Sequence, residues 1–333
     1  MVYESFNMNR KTLKISMLNR ILIFLFLAAS WNMSAADDDA PLVNLALNNK
    51  DVKTFQNTTL QLNLKAQLMA NPDWRKLIQQ KRMSVSLVDL NDAENIKYAS
   101  INGSNMMYAA SLPKIAVLYA AMDAIENGEL KDTPKVRDDM WLMISKSNNA
   151  ASTRMIDRVG FQKIEDLMCD PSNPFYDKDG VGGLWVGKRY AAQGKRNPEP
   201  IRGLSHAATT DAVAKFYYQL ATGQLINKTR SKEMLDIMEN PSLHHKFVNT
   251  LDRIAPDARL FRKSGSWKNW HSDSILVWGE DGRKYILVAL IEDPNGEQII
   301  RNLVQPAELA LRKSVILPVE LEQENEVVVR QDT

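Results

Sequence analysis

Two runs that read as strands lie before a long helical stretch and three lie after it, and this order constrains the fold more than any other feature of the sequence. "MSVSLVDL" (83–90) and "IKYASI" (96–101) alternate in polarity and are β-branched, with the turn "NDAEN" between them, which predicts a hairpin. "ARLFRKSGS", "DSILVWG" and "KYILVALIED" (258–293) are strand-like again and are joined by turn signals such as "EDGR". Strands at opposite ends of a chain share a sheet only when the ends return to each other. The expectation is an α/β protein of the α+β sandwich kind: an antiparallel five-stranded sheet built from both chain ends, flanked by helices, with an all-helical insertion.

The insertion, about 129–257, is legible from its stop signals. "LPKIAVLYAAMDAIENGEL" is a long apolar helix stopped near Gly128, and "RDDMWLMISK" and "AASTRMIDRVG" are two more, the second closed by Gly160. "TTDAVAKFYYQLATG" and "SKEMLDIMEN" follow, and "EQIIRNLVQPAELALRK" predicts a last amphipathic helix bent at Pro306. Residues 168–204 have no periodicity and are rich in Gly and Pro, the mark of a functional loop.

The first residues point to export. Arg10, Lys11, Lys14 and Arg20 precede the apolar run "ILIFLFLAA", and Ser34 and Ala36 supply the small residues of a cleavage site. The run is too short to span a membrane, which needs ~20 apolar residues. The expected division is a signal peptide at 1–36, a leader and first helix at 37–72, the main domain at 73–318 and a tail at 319–333, with a periplasmic or secreted location after cleavage near Ala36 and no stable membrane anchor. Loss of 1–36 removes those four basic residues and Glu4 from totals of 42 basic and 40 acidic, leaving a net charge of −1. A nucleic-acid partner is not expected at that charge. Cys169 is the single cysteine and the histidines, His206, His244, His245 and His271, have no metal-ligand spacing, so neither disulfide, metal nor cofactor is expected. "LHHK" (243–246) reads as a surface or turn feature.

One charge breaks the apolar run "YAASLPKIAVLYAAM" (108–122). Lys114 lies three residues after Ser111, one helical turn away on the same face, with Pro113 suited to a first turn. Burial disfavours an ammonium, so such a lysine can become a base for the serine hydroxyl. A capping serine beside a lysine that snorkels to water explains the motif alone equally simply. Two further motifs follow in order: "SNN" with Ser147, Asn148 and Asn149 at a break between helices, and "KSG" with Lys263, Ser264 and Gly265 ending a strand.

Together "SLPK", "SNN" and "KSG" resemble the Ser-x-x-Lys, Ser-Asp-Asn and Lys-Thr-Gly signatures of the penicillin-recognising serine enzymes, class A β-lactamases above all. The resemblance covers roughly residues 73–313. It implies that Ser111 is acylated and that Lys114 takes or relays its proton. Ser147 would pass a proton to the leaving nitrogen, Asn149 would hold the substrate's amide carbonyl, and Lys263 and Ser264 would bind its carboxylate. The backbone N–H groups of Ser111 and Ser266 would hold the oxyanion, and Trp267 and Trp270 could wall the pocket.

The departures are as informative. Asn148 and Ser264 replace an aspartate and a threonine, while Asp273 aligns with a carboxylate-binding arginine, a loss that Lys268 or His271 would have to compensate. The family's deacylating glutamate has no match; Glu199 in "NPEPIRG" stands nearest its place. The expectation is a monomeric serine hydrolase opening a β-lactam or a related peptidoglycan-like amide through acyl-Ser111. A slowly deacylating peptidase or esterase, and a non-catalytic binding protein, are the alternatives.

Overall fold

The computed structural model describes residues 51–312, so the expected signal peptide and the tail at 319–333 lie outside the described residues. A short 3-10 turn (Val52–Phe55) leads to α1 (Thr58–Met69) and α2 (Pro72–Gln79), each capped by an asparagine, Asn57 and Asn71. The strands β1 (Met83–Asp89) and β2 (Lys97–Ile101) form the expected hairpin, and β3 (Met107–Tyr108) leads to α3 (Lys114–Glu126). Next come α4 (Pro134–Ile144), α5 (Asn149–Val159) and α6 (Phe161–Met168), then the short strands β4 (Tyr176–Asp177), β5 (Gly182–Gly183), β6 (Trp185–Val186) and β7 (His206–Ala208). The chain closes through α7 (Thr210–Ala221), α8 (Lys228–Met238), α9 (Phe247–Ile254), β8 (Arg259–Trp267), β9 (Trp270–Trp278), β10 (Lys284–Glu292) and α10 (Gly296–Arg312).

The main sheet has the order β2-β1-β10-β9-β8 and is antiparallel throughout, so the amino-terminal hairpin docks on the carboxy-terminal strands through β1 and β10. Both faces are covered, which explains why β10 reads as a continuous apolar run. Leu287, Ala289 and Ile291 pack toward α1, α2, α9 and α10, whereas Ile286, Val288 and Leu290 pack toward the helical insertion around α3 and α7. The insertion is helical apart from the short strands β4 to β7, of which β6 and β7 form a sheet with β3 beside α3. Of these, β4, β5 and β6 lie in the stretch at 168–204 whose sequence lacks periodicity, because runs of two residues carry none. Helix α10 continues through Pro306.

Candidate active site

Ser111 stands at a corner. Ala109 N–H donates to the carbonyl of His206 at 2.9 Å, extending β3 along β7, and the chain then turns through Ala110 at φ +51°. A left-handed alanine is strained, and such strain concentrates where a side chain must be aimed. Bonds from Leu112 N–H to Ala109 and from Lys114 N–H to Ser111 close the turn into α3. On the other side β8 passes so near that a Cβ on Gly265 would lie 2.5 Å from the Ala109 oxygen and 2.6 Å from the Ser111 nitrogen. Only glycine permits that approach, and it brings the backbone of Ser266 beside the amide of Ser111.

Lys114 is fully buried, at 0% exposure. Its Nζ donates to Ser147 O at 2.7 Å, Ser147 Oγ at 3.3 Å and Asn149 Oδ1 at 2.9 Å, and lies 4.5 Å from the centre of the Tyr190 ring. Burial, with no carboxylate among the described residues bound to it, pushes its pKa down to about 7. Ser147 sits at φ +52° in the break between α4 and α5, while Asn148 caps α5 by accepting from Ala151 N–H at 2.8 Å. The side chain at 148 therefore holds the loop and leaves its neighbours free to face Lys114.

Lys263 approaches the same hydroxyl from the sheet. Its buried Nζ donates to Ser147 Oγ at 3.0 Å and to Ser264 O at 2.6 Å, and burial first, then the charge of Lys114, holds its pKa well below the ordinary lysine value. Ser264 Oγ lies 3.3 Å from His245 Nε2. The three motifs, separated by more than thirty and more than a hundred residues, meet at one hydroxyl. Ser111, Asn149 and Ser266 line a cavity of about 750 Å³, with Tyr108, Tyr190, Trp267 and Trp270 as its aromatic walls.

The family described as the beta-lactamase enzyme family matches this chain over residues 72–139 and 131–310, more than half its length. The chain belongs to that family. The β-lactamase from Sphaerobacter thermophilus superposes with a TM-score of 0.58 at 19% identity, covering 75% of this chain and 96% of that one. A double mutant of the class A β-lactamase of the last common ancestor of Gram-negative bacteria gives 0.59 at 13% identity, over 75% and 99%. PBP-A, in a mutant solved as an acyl-enzyme complex with penicillin G, gives 0.53 at 19%, over 77% and 96%. At these identities the likeness is one of fold. No curated protein matches the chain.

Within this β-lactamase-family chain, Glu199 does not join the cluster. Its carboxylate accepts from Tyr176 Oη at 2.6 Å and from the N–H groups of Ile201, Arg202 and Leu204 at 2.8, 2.7 and 3.0 Å, and it is not among the residues lining the cavity. Burial raises its pKa, but those four donors outweigh it and leave the carboxyl below its usual value. Glu199 is thus the anchor of its own loop. Asp273 is also placed differently from expectation: it is fully buried and bound by Arg262 through Nε at 2.7 Å and Nη2 at 2.9 Å, so Arg262, rather than Lys268 or His271, neutralises it.

Two residues of the site escaped sequence reasoning. His206 lies on the cavity wall with Nε2 3.0 Å from Lys188 O and Nδ1 3.2 Å from Ser205 Oγ, held neutral because burial pulls its pKa down to about 4. Lys246, from the "LHHK" taken for a surface turn, is fully buried and reaches Gly265 O, Ser266 Oγ and Ser272 O. No local pattern marks either, since their partners come from distant parts of the chain.

Proposed function

We propose that the chain is an exported serine hydrolase that opens a β-lactam, or a related amide of a cell-wall peptide, through an acyl-Ser111 intermediate and releases the acyl group slowly. The observation that carries this is Lys114: a fully buried amine, brought near neutrality by burial, one helical turn after Ser111 and hydrogen-bonded to Ser147 and Asn149. Ser111 Oγ attacks the amide carbonyl carbon while its proton passes to Lys114. The oxyanion forms between the N–H groups of Ser111 and Ser266, donors typically worth ~2.7 to 4 kcal/mol each. As the C–N bond breaks, Ser147 gives its proton to the nitrogen and is resupplied from Lys114 or Lys263, leaving an ester on Ser111. Asn149 orients the amide, and Lys263 with Ser264 supplies positive potential and a hydroxyl for the carboxylate.

Slow release is supported by the state of Glu199, whose four hydrogen bonds leave it committed to the loop and away from Ser111. The expected export rests on the basic and apolar pattern of residues 1–36, with the catalytic domain at 73–318. No helix among the described residues is long and apolar enough to cross a membrane. A chromogenic cephalosporin and a fluorescent penicillin, each mixed with the purified protein, test the reading. A stable fluorescent adduct with little cephalosporin turnover supports it, rapid turnover makes the protein a true β-lactamase, and no adduct refutes both.

A further inference from the structure

The loop at 187–197 turns a cationic face to the cavity. Lys188 and Arg196 are partners in an isolated antiparallel bridge, so their side chains leave the same side of the hairpin. Both line the cavity that Ser111 opens into, together with Arg189, and no Asp or Glu is among the described residues that line it. Like charges set directly opposite each other repel, and a hairpin gains nothing from that pairing unless an anion sits between them. Arg189 is committed to Asp157 at 2.5 Å. Arg196 takes part in no ion pair among the described residues, and Lys188 Nζ donates to a neutral carbonyl, Ala192 O, at 3.2 Å. The hairpin backbone is fixed by bonds from Asn197 N–H to Gly187 O at 2.7 Å and from Gly187 N–H to Ser205 O at 2.6 Å.

Resting on the acylation reading above, we propose that the site takes substrates whose acyl side carries its own negative charge, held by Lys188 and Arg196. This anion is additional to the carboxylate that Lys263 and Ser264 serve. Benzylpenicillin and carbenicillin, which differ by one carboxylate on the acyl side chain, form the matched test. Carbenicillin should acylate the protein about tenfold faster, the scale of one charge-assisted hydrogen bond. That ratio should collapse toward unity in Lys188→Met/Arg196→Met and invert in Lys188→Glu. A wild-type ratio of one, or a ratio that survives the double substitution, overturns the proposal while leaving the acylation reading intact. Absence of any adduct with either penicillin overturns both.

A separate observation concerns Lys246. The carbonyl of Gly265 and the N–H of Ser266 belong to one trans peptide and point in opposite directions. Lys246 Nζ holds that carbonyl at 2.5 Å, and also binds Ser266 Oγ at 2.9 Å and Ser272 O at 3.0 Å. We infer that Lys246 is a positioning residue that aims and polarises the Ser266 N–H toward the oxyanion, its charge acting through a peptide rather than on the substrate. A cation on one end of a hydrogen-bonded peptide strengthens the donor at the other. Lys246→Met should slow acylation about tenfold, a fraction of the loss from deleting an oxyanion donor, with substrate affinity kept. The acyl-ester carbonyl stretch of the Ser111 adduct should move to higher wavenumber, and Lys246→Arg should restore it. An unmoved stretch in Lys246→Met, or in Lys246→Gln if the methionine variant does not fold, overturns the inference.

Discussion

Lys114 is kept where a methionine would pack more cheaply, and its use follows from what surrounds it. Three neutral oxygens receive its hydrogens and no carboxylate among the described residues is bound to it, so folding lowers its affinity for a proton instead of raising it. As a base it must be unprotonated, hence acylation should rise with pH up to about 7 and level off above, the fraction of free amine setting the slope. A stopped-flow pH profile of penicillin acylation checks this. Lys114→Met should cut the rate by about 10² to 10⁴, the usual range for a lost general base. Glu199→Gln should behave oppositely: deacylation is unchanged, but loss of a charged acceptor for three N–H groups and Tyr176 lowers stability by about 1 to 3 kcal/mol. Because folding depresses the Glu199 pKa, its stabilisation is complete above the unfolded value and is lost as pH falls through the folded one. Denaturation of both proteins at neutral and acid pH shows whether their difference shrinks in that direction. A deacylation rate reduced on the order of 10²-fold would instead return Glu199 to the mechanism.

Among the elements, β8 carries the tightest constraint. Its Gly265 lies against the turn that presents Ser111, and Gly265→Ala must push one backbone from the other. Acylation should fall on the order of 100-fold, because an oxyanion donor is displaced, while the protein still folds; adduct formation alongside a melting curve separates the two effects. The same strand carries Arg262, whose removal in Arg262→Ala strands Asp273 as a buried charge and should cost about 3 to 5 kcal/mol in denaturant unfolding. That Lys114, Ser147, Asn149 and Lys263 meet was legible in sequence because each belongs to a short motif, and local spacing survives in the chain. Lys246, Arg262 and His206 were not. Lys246 reaches its three acceptors across 19 to 26 residues, and His206 finds Lys188 across 18, contacts that no helix or strand period encodes.

At the scale of the molecule, the sheet order was legible for a different reason. Alternating β-branched strands at both ends of the chain had one way to bury both their faces, and β1 on β10 is that closure. The irregular stretch at 168–204 was legible only as a loop, although it forms short strands and places Lys188, Tyr190 and Arg196 on the cavity wall. Its sequence lacks periodicity because its order comes from single contacts, such as Trp185 Nε1 on Asn197 O at 2.7 Å. In the proposed reading an acylating centre is joined to a loop whose one candidate acid, Glu199, is structurally employed, and the balance of acylation and release would define the activity. The direct test is the intact mass of the protein followed over time after mixing with benzylpenicillin, with the adduct mapped by peptide digestion. The account predicts a full penicilloyl adduct on Ser111 that persists long after mixing and is absent from Ser111→Ala. An adduct on another residue, or none in a folded protein, would contradict it.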